Sequence, residues 1–326
     1  MKVEVLNTIE YKETRAGFGK ALIDLAEEKK EIVALCADLT ESLKMSEFAK
    51  KYPHRFFKVG IAEANMVGIA AGLATSGFIP FVGSFAVFLA GRAYDQIRQS
   101  VAYSMKNVKL IASHSGLTVG EDGATHQAIE DIALMTALPN MVVVYPADFN
   151  QAYNATYAIA NYFGPVYLRL GRPAIPNFTP KDLPFILGKG ILFSEGNDVS
   201  IFATGPMLWH TLLASSELIS KNIYPEIINI HTIKPIDKDL ILNSIKKTNC
   251  AVVVEEHTIF GGLGDNIARI AAHHYPIPIE YVAINDTFGE SGKPDELLNK
   301  YGLTTDNIIK ACINVLKKKK DLVKNL

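Results

Sequence analysis

The sequence predicts two α/β domains, each built around a mostly parallel β-sheet. Short apolar runs alternate with longer amphipathic stretches, which is typical of a parallel sheet covered by helices. The chain has 326 residues, and a domain takes roughly 100–200 residues, so the length favours two domains. Between two alternating regions, residues 171–184 contain four prolines, which favour an extended segment with little regular structure.

The first alternating region predicts six strands and six helices. The strand runs are short and rich in Val, Ile and Phe, whereas the helical stretches carry apolar residues at intervals of three and four. We predict strands at residues 32–36, 56–59, 79–82, 108–112, 141–145 and 166–168. We predict helices at residues 15–29, 45–51, 63–75, 92–105, 127–137 and 150–161.

The second region repeats the pattern after the prolines. Strands are expected at residues 199–203, 226–230, 251–255 and 279–283. Helices are expected at residues 207–221, 237–246, 263–273, 295–300 and 306–316. We therefore expect a first domain over residues 1–170, a proline-rich linker over 171–187 and a second domain over 188–326.

Composition narrows the class of protein. The net charge is −1, which argues against nucleic acid as the main partner. Three cysteines without close spacing favour reduced, buried thiols rather than disulfides or a metal site. The first ten residues lack the apolar run of a signal peptide, and no stretch approaches the about 18 apolar residues of a membrane span. We expect a cytoplasmic protein that binds no membrane.

Several common catalytic motifs are absent. The sequence contains no G-x-G-x-x-G, no G-x-S-x-G and no H-E-x-x-H. Residues 289–294 (GESGKP) lack both the four-residue spacer and the Ser or Thr of a phosphate-binding loop. Dinucleotide, serine hydrolase and zinc protease functions therefore receive little support.

Two neighbouring segments carry candidate ligand-binding residues. Glu63 opens a predicted helix, where favourable interaction with the helix dipole would by itself explain an acidic residue. Phe85 and Phe88 follow a Gly-Ser break after a predicted strand, the place where ligands bind in parallel sheets. The two aromatic residues could belong to the core or could stack on a flat heterocycle.

The third candidate segment is the loop at residues 114–127 (HSGLTVGEDGATHQ). It contains two histidines, two carboxylates and three glycines, and it follows a predicted strand. Such a polar, turn-rich loop lies on the side of an open α/β sheet where sites are built. We therefore expect His114 and His126 to have a functional role and not only a structural one.

Together these segments resemble the C-terminal half of transketolase, in the form where the enzyme is split between two chains. The resemblance covers nearly the whole chain. It is carried by ADL at 37–39, GIAE at 60–63, GSF at 83–85, GEDGATHQ at 120–127, PNM at 139–141, IKPID at 233–237 and DTFGESG at 286–292. It implies a pyrimidine-binding domain of thiamine diphosphate enzymes followed by a transketolase C-terminal domain.

The resemblance implies a coenzyme role for four residues. Glu63 corresponds to the glutamate that bonds the aminopyrimidine ring of thiamine diphosphate and favours its imino tautomer. Phe85 and Phe88 correspond to aromatic residues that pack on this ring, while Gly91 stands near a third aromatic position. Asp38 corresponds to an aspartate near the cofactor and the subunit interface.

The resemblance also implies a sugar phosphate site. Asp122 and His126 correspond to residues that contact the sugar hydroxyls, and His126 could also shuttle protons. Positions that bind the phosphate correspond to Arg15, Ser42, His114 and Arg172 in this sequence. The implied reaction transfers a two-carbon ketol unit between sugar phosphates.

One part of the family's machinery is missing. Thiamine diphosphate and its metal, Mg²⁺ or Ca²⁺, are normally held by a Gly-Asp-Gly motif and a following Asn, and the sequence contains no Gly-Asp-Gly. We therefore expect no metal ligands on this chain and a partner, the N-terminal transketolase subunit, that holds the diphosphate and metal. Shared sites also favour self-association, as two copies of each subunit.

Three alternatives remain. A fragment resembling 1-deoxyxylulose-5-phosphate synthase would carry arginine where Ser115 stands. A β subunit of a 2-oxo-acid dehydrogenase would not need the phosphate set. A non-catalytic assembly subunit would not need to retain Glu63, the two phenylalanines and His126.

Overall fold

The computed structural model describes residues 10–324. Strands β1–β14 span, in order, Tyr11–Glu13, Ile32–Cys36, Phe56–Lys58, Ile79–Phe85, Lys109–Ser113, Val142–Val144, Val166–Arg169, Ala174–Pro176, Ile191–Ser194, Val199–Ala203, Pro225–Asn229, Thr232–Lys234, Ala251–Thr258 and Ile279–Ile284. Helices α1–α12 span Thr14–Glu28, Ser46–Lys51, Glu63–Thr75, Ala86–Arg92, Tyr94–Gln96, Asp131–Ala137, Phe149–Asn161, Met207–Ser220, Lys238–Thr248, Leu263–His274, Pro294–Lys300 and Thr305–Lys324. None of these helices combines the length and apolar character needed to cross a membrane.

The first sheet has seven strands in the order β12-β6-β7-β5-β4-β2-β3. All its neighbours are parallel except the pair β12–β6. The inner strands β2, β4 and β5 are buried along their length because helices cover both faces of a parallel sheet. Since β7, β5, β4 and β2 are consecutive neighbours, the segments that follow them meet at one edge.

The second sheet has five strands in the order β14-β13-β10-β11-β9. Three pairings place β14, β13, β10 and β11 in parallel, whereas β9 runs antiparallel at the edge. The predicted fold class, two α/β domains with mostly parallel sheets, is confirmed. The limits at residues 170 and 188 stay a prediction.

Four strands were not predicted from the sequence. Strand β12 lies among second-domain residues but pairs with β6 of the first sheet, so the two sheets are linked by the backbone. Strands β1 and β8 form a separate antiparallel pair, so part of the proline-rich segment is regular. Strand β9 is also new. All four are short, and their partners are distant in sequence.

Strand β4 is longer than predicted because Gly83 and Ser84 continue it to Phe85. Gly83 pairs with Cys36 and Ile111 in register. A Cβ atom at Gly83 would approach a Leu43 side-chain carbon to 2.8 Å. The glycine therefore permits close packing inside the strand instead of ending it.

Two helices also differ from prediction. The helical segment expected at 92–105 begins earlier, at Ala86, and consists of α4, α5 and the π-helix Ile97–Tyr103. The helix expected from residue 127 begins only at Asp131, because Gln127 and Ala128 belong to a loop. Ala128 there forms a parallel bridge with Ser115. Loop pairing between distant residues thus overrides local helical periodicity.

A buried network of charges joins the two domains. Arg169, at the end of β7, bonds the carboxylate of Asp131 at 2.9 Å, and neither side chain is more than 1% exposed. Its Nη2 atom also donates to the backbone carbonyl of Glu256 in β13, at 3.1 Å. Tyr145 donates from its hydroxyl to the Glu256 carboxylate at 3.4 Å. We call Asp131, Arg169, Tyr145 and Glu256 the seam.

Candidate active site

Glu63 is the first residue of α3 and its side chain is only 2% exposed. Ser84, near the end of β4, donates a hydrogen bond from Oγ to Glu63 Oε1 at 3.1 Å. Arg92 approaches both carboxylate oxygens at 3.3 and 3.4 Å. A helix N-terminus stabilises an anion, but Ser84 and the half-exposed Arg92 leave the carboxylate able to take another hydrogen-bonding partner.

Phe85 and Phe88 form a stacked pair beside this carboxylate. Phe85 ends β4 and Phe88 lies in the first turn of α4, so both side chains lie at the carboxyl edge of the sheet. Their ring centroids are 5.9 Å apart and the ring planes differ by 19°. The pair offers flat apolar surface next to a buried carboxylate, an arrangement that suits a heterocycle with a ring nitrogen.

Arg92 is a site residue that the sequence analysis did not select. Its guanidinium carbon lies 4.1 Å from the centroid of the Phe88 ring, while its Nη1 atom bonds Glu63. The four-residue spacing from Phe88 on α4 puts both side chains on one helix face, which is the pattern that could have revealed the contact. A flat cation thus contacts the aromatic pair and the carboxylate together.

His114 follows β5 and stacks on Phe85, with ring centroids 3.8 Å apart. Its backbone adopts a left-handed conformation (φ 56°), and Ser113 Oγ lies 2.9 Å from its Nδ1 atom. Burial lowers the pKa of His114 to about 3, and the nearby charges of Arg15 and Arg172 act in the same direction. The imidazole is therefore neutral at physiological pH and bonds anions as a dipole, not as a cation.

His126 contacts Phe88, the other ring of the aromatic pair. Its ring meets the Phe88 ring edge-on, with centroids 5.2 Å apart and planes at 73°. Thr125 Oγ1 lies 3.0 Å from His126 Nδ1. Asp122, on the same loop, is exposed. The structure therefore brings His126, His114, Phe85 and Phe88 together and leaves Asp122 at the rim.

The loop that carries both histidines is anchored from the second domain. Gln127 donates from Nε2 to the carbonyls of Leu117 and Glu290 at 3.1 and 3.0 Å. Glu256 accepts a hydrogen bond from the backbone N–H of Thr118 at 2.7 Å. Burial raises the pKa of Glu256, although this hydrogen bond favours the ionised form. These anchors were not predicted because their partners are more than 130 residues apart.

Arg15 and Ser42, two of the predicted phosphate-binding residues, are in contact. Arg15 donates from Nη1 to the Ser42 carbonyl at 2.8 Å and from Nη2 to Glu13 Oε1 at 2.6 Å. Lys44 pairs with the other Glu13 oxygen at 2.6 Å. The Arg15 Nε atom is buried and makes no hydrogen bond within residues 10–324. Glu13 and Lys44 were not selected from the sequence.

Arg172 follows β7 and completes the group of cations. It bonds the carbonyl of Val119 and pairs with Glu121 Oε2 at 3.2 Å. Its side chain is 36% exposed and that of Glu121 is 63% exposed. We call Arg15, Lys44 and Arg172, with Glu13 and Glu121, the mouth; Arg15, Lys44 and Arg172 all contribute to the field at His114.

Asp38 follows β2 at the same sheet edge, but it is exposed and its backbone is left-handed (φ 60°). No contact links it to the aromatic pair among the described residues. Within residues 10–324, no three His, Cys, Asp or Glu side chains come together as a metal site would require.

The fold and this geometry define a two-domain α/β protein whose candidate site residues gather at the carboxyl edge of its first sheet. Two family models match the chain: the transketolase pyrimidine-binding domain over residues 10–177, and the transketolase C-terminal domain over residues 188–308. The chain therefore belongs to the transketolase family and corresponds to the C-terminal section of its split form.

Similar proteins include several with split arrangements. A putative transketolase C-terminal section of Methanocaldococcus jannaschii is 45% identical over 94% of this chain and 98% of its own length. A 6-deoxy-6-sulfo-D-fructose transketolase subunit of a Clostridium strain is 42% identical over 91% of this chain and 92% of its own length. A solved structure described as a split gene transketolase, inactive β4 tetramer, superposes with a TM-score of 0.89 at 46% identity, covering 94% of this chain and 99% of that one.

Proposed function

We propose that this chain is the catalytic C-terminal subunit of a thiamine-diphosphate-dependent transketolase that moves a two-carbon ketol unit between sugar phosphates. The observation that carries the proposal is the buried Glu63 carboxylate beside the stacked pair Phe85–Phe88. Two imidazoles, His114 and His126, contact the same aromatic pair. An acidic residue that is buried only for structural reasons would not need two phenylalanine rings and two imidazoles beside it.

Glu63 and the aromatic pair suit the aminopyrimidine ring. A ring nitrogen can share a proton with the Glu63 carboxylate, which is shielded from water and so forms a strong hydrogen bond. Phe85 and Phe88 offer stacking surface at the same depth. Arg92, which contacts both groups in this structure, has to yield part of its bonding to Glu63 when the ring enters.

The chain's residues divide the chemistry between proton handling and orientation. Bound thiamine diphosphate supplies the electron sink for cleavage of the ketose carbon–carbon bond. Glu63 holds a proton at the ring nitrogen and favours the imino form of the ring. His126 gives and takes protons at the sugar hydroxyls, and Asp122 accepts hydrogen bonds from them. His114, as a neutral imidazole, helps to bind the anionic end of the substrate without adding charge.

The anionic end of the substrate is proposed to bind Arg15, Ser42, His114 and Arg172. Arg15 and Arg172 are guanidinium groups, which bond phosphate oxygens in pairs. Both are part-exposed, so a ligand can reach them. We propose an anionic ketose as donor, and Mg²⁺ or Ca²⁺ as the metal of the coenzyme's diphosphate.

The partner subunit is proposed to supply the diphosphate and metal site. The sequence contains no Gly-Asp-Gly, and the face around α3 supports a docking surface. Large apolar side chains there are exposed, Ile61 to 75% and Ile69 and Phe78 each to 38%. Gly68 and Gly72 on α3 face open space, where another helix could approach closely. Two copies of each chain in a heterotetramer, and a cytoplasmic location, stay predictions.

The test is Glu63→Ala in the complex reconstituted with an N-terminal subunit. We expect ketol transfer from xylulose 5-phosphate to ribose 5-phosphate to fall by about 10²–10⁴-fold, the range of a lost general acid–base contribution. Glu47→Ala is the matched control, because Glu47 lies in the first turn of α2 and is subject to the same dipole. Wild-type rates in the Glu63 variant would refute the proposed role.

Two further assays separate the alternatives. The chain alone should bind thiamine diphosphate weakly and turn over no sugar phosphate. Reconstituted complex that condenses pyruvate with glyceraldehyde 3-phosphate, but transfers no ketol unit, would favour the deoxyxylulose phosphate synthase class. Absence of both activities in a well-assembled complex would favour a non-catalytic subunit.

A further inference from the structure

Glu13 is an acidic residue placed between two cations of the mouth. It ends β1, immediately before α1, and its side chain is 24% exposed. One oxygen bonds Arg15 Nη2 and the other bonds Lys44 Nζ, each at 2.6 Å. A single carboxylate thus neutralises a guanidinium and an ammonium together, and these two contacts lower its pKa against the effect of burial.

Lys44 is held in place by the backbone. Its φ is 57°, and the turn around it is closed by hydrogen bonds from Lys44 N to the Glu41 carbonyl and from Met45 N to the Thr40 carbonyl. Gly19 of α1 packs directly on it, since a Cβ atom at Gly19 would lie 2.5 Å from the Lys44 carbonyl oxygen. Its position beside Glu13 is therefore built into the packing of α1.

Lys44 belongs to the same electrostatic group as the guanidiniums of the mouth. His114 is influenced by Arg15, Arg172 and Lys44, and each of them lowers the pKa of its imidazole. The mouth therefore carries three cations and two carboxylates. The net charge of the mouth is therefore +1, although three cationic side chains are present to donate hydrogen bonds to an anion.

We propose that Lys44 is an additional contact for the anionic end of the substrate, and that Glu13 is a built-in competitor that weakens the binding of anionic end groups, of dianions more than of monoanions. This inference rests on the proposed function, because it takes a sugar phosphate as the ligand. An end group that enters must replace the Glu13 carboxylate at Arg15 and Lys44. The repulsion between Glu13 and the end group grows with the charge of the end group, so it opposes a phosphate monoester, a dianion, more than a sulfonate, a monoanion.

The test compares methyl phosphate, a dianion at pH 8, with methanesulfonate, a monoanion, by calorimetric or NMR titration of the full chain. Glu13→Gln keeps the shape of the side chain and removes its charge. We expect this change to tighten methanesulfonate binding by about tenfold and methyl phosphate binding by more, because the repulsion removed is proportional to the charge of the ligand, so that discrimination in favour of the dianion rises. Lys44→Met should weaken methyl phosphate binding and reduce the effect of Glu13→Gln in the double variant.

Glu10→Gln is the matched control. Glu10 is a neighbouring exposed glutamate paired with Lys12, and its carboxylate bonds neither Arg15 nor Lys44. This variant should leave both dissociation constants unchanged. If Glu13→Gln shifts neither ligand, or shifts both equally, the competitor role is wrong. If Lys44→Met leaves methyl phosphate binding unchanged, the contact role is wrong.

These titrations need no turnover, so they separate this inference from the proposed function. A reconstituted complex that transfers ketol units while Glu13→Gln leaves discrimination unchanged would overturn the inference alone. A complex that transfers none, although Glu13→Gln shifts the two probes as expected, would overturn the proposed reaction and leave the competitor in place. In an active complex, Glu13→Gln should also lower the KM for a phosphorylated ketose more than for a sulfonated one.

Discussion

The seam and the mouth use the same kinds of charged side chain in opposite ways. At the seam, Arg169 and Asp131 are at most 1% exposed, and the guanidinium also bonds backbone carbonyls of both domains. At the mouth, the pair Arg172–Glu121 is 36% and 63% exposed. Burial holds the seam pair together, whereas the two partners of the mouth pair can separate because water can solvate each of them.

This difference separates charges that hold the fold from charges that can meet a ligand. Removing one member of a buried pair leaves an uncompensated charge in a low-dielectric interior. An exposed pair contributes little to stability, because water replaces either partner. Cations at the mouth can therefore exchange a carboxylate for a substrate anion, and those at the seam cannot.

The largest effect is expected for Asp131→Asn at the seam. The change leaves Arg169 buried without its counter-ion and also weakens the hydrogen bond from the Tyr167 hydroxyl, 2.8 Å long. We expect a loss of about 3–5 kcal/mol in the free energy of unfolding, measured by urea denaturation. Asp24→Asn, which weakens the partly exposed pair with Lys20, should cost less than about 0.5 kcal/mol. Equal losses in the two variants would remove the distinction between buried and solvent-accessible ion pairs.

Gly116→Ala tests how tightly the seam holds the histidine loop. The residue has φ +77°, and a Cβ atom would lie 2.3 Å from Glu256 Oε1. Gly77→Ala is the matched control, with φ +90° and open space around the new carbon. We expect about 1–2 kcal/mol for the backbone conformation in both variants, and about 1–3 kcal/mol more at Gly116 from crowding. Similar free energies of unfolding for the two variants would show that the Glu256 side chain moves away from the new carbon at little cost.

The seam should also respond to pH through His257. Its Nε2 atom accepts from the Ala133 N–H of α6 at 3.4 Å, and burial lowers its pKa to about 4. Between pH 6.5 and 4 the unfolded chain takes up a proton that the folded chain does not, so stability falls as pH falls. At pH 5 this amounts to about 2 kcal/mol relative to pH 8. His257→Gln should flatten this part of the profile; an unchanged slope would exclude His257 as its source.

Arg172→Leu at the mouth should have the smallest effect on stability. Because the pair with Glu121 is exposed, we expect a change below about 0.5 kcal/mol in the free energy of unfolding. Methyl phosphate binding should nevertheless weaken by about tenfold, since a charge-assisted contact is lost. A large loss of stability with unchanged phosphate binding would assign Arg172 to the fold instead.

Much of the fold follows from local pattern. Helix α3 begins and ends where the sequence predicts, at Glu63 and Thr75. Strand β2 likewise has the predicted limits, 32–36. The prediction failed where a distant partner decides the structure, as at β12, whose pairing with β6 joins residues about ninety positions apart.

The sequence by itself determined the α/β class, the family and the candidates Glu63, Phe85, Phe88, His114 and His126, because these reside in short, ordered motifs. Only the tertiary structure decided what surrounds them. Arg92 at the carboxylate, Lys44 and Glu13 at the mouth, and Glu256 behind the loop depend on contacts between separate elements. Local periodicity records which face of an element is apolar, whereas the position of a charge relative to another depends on how the elements pack.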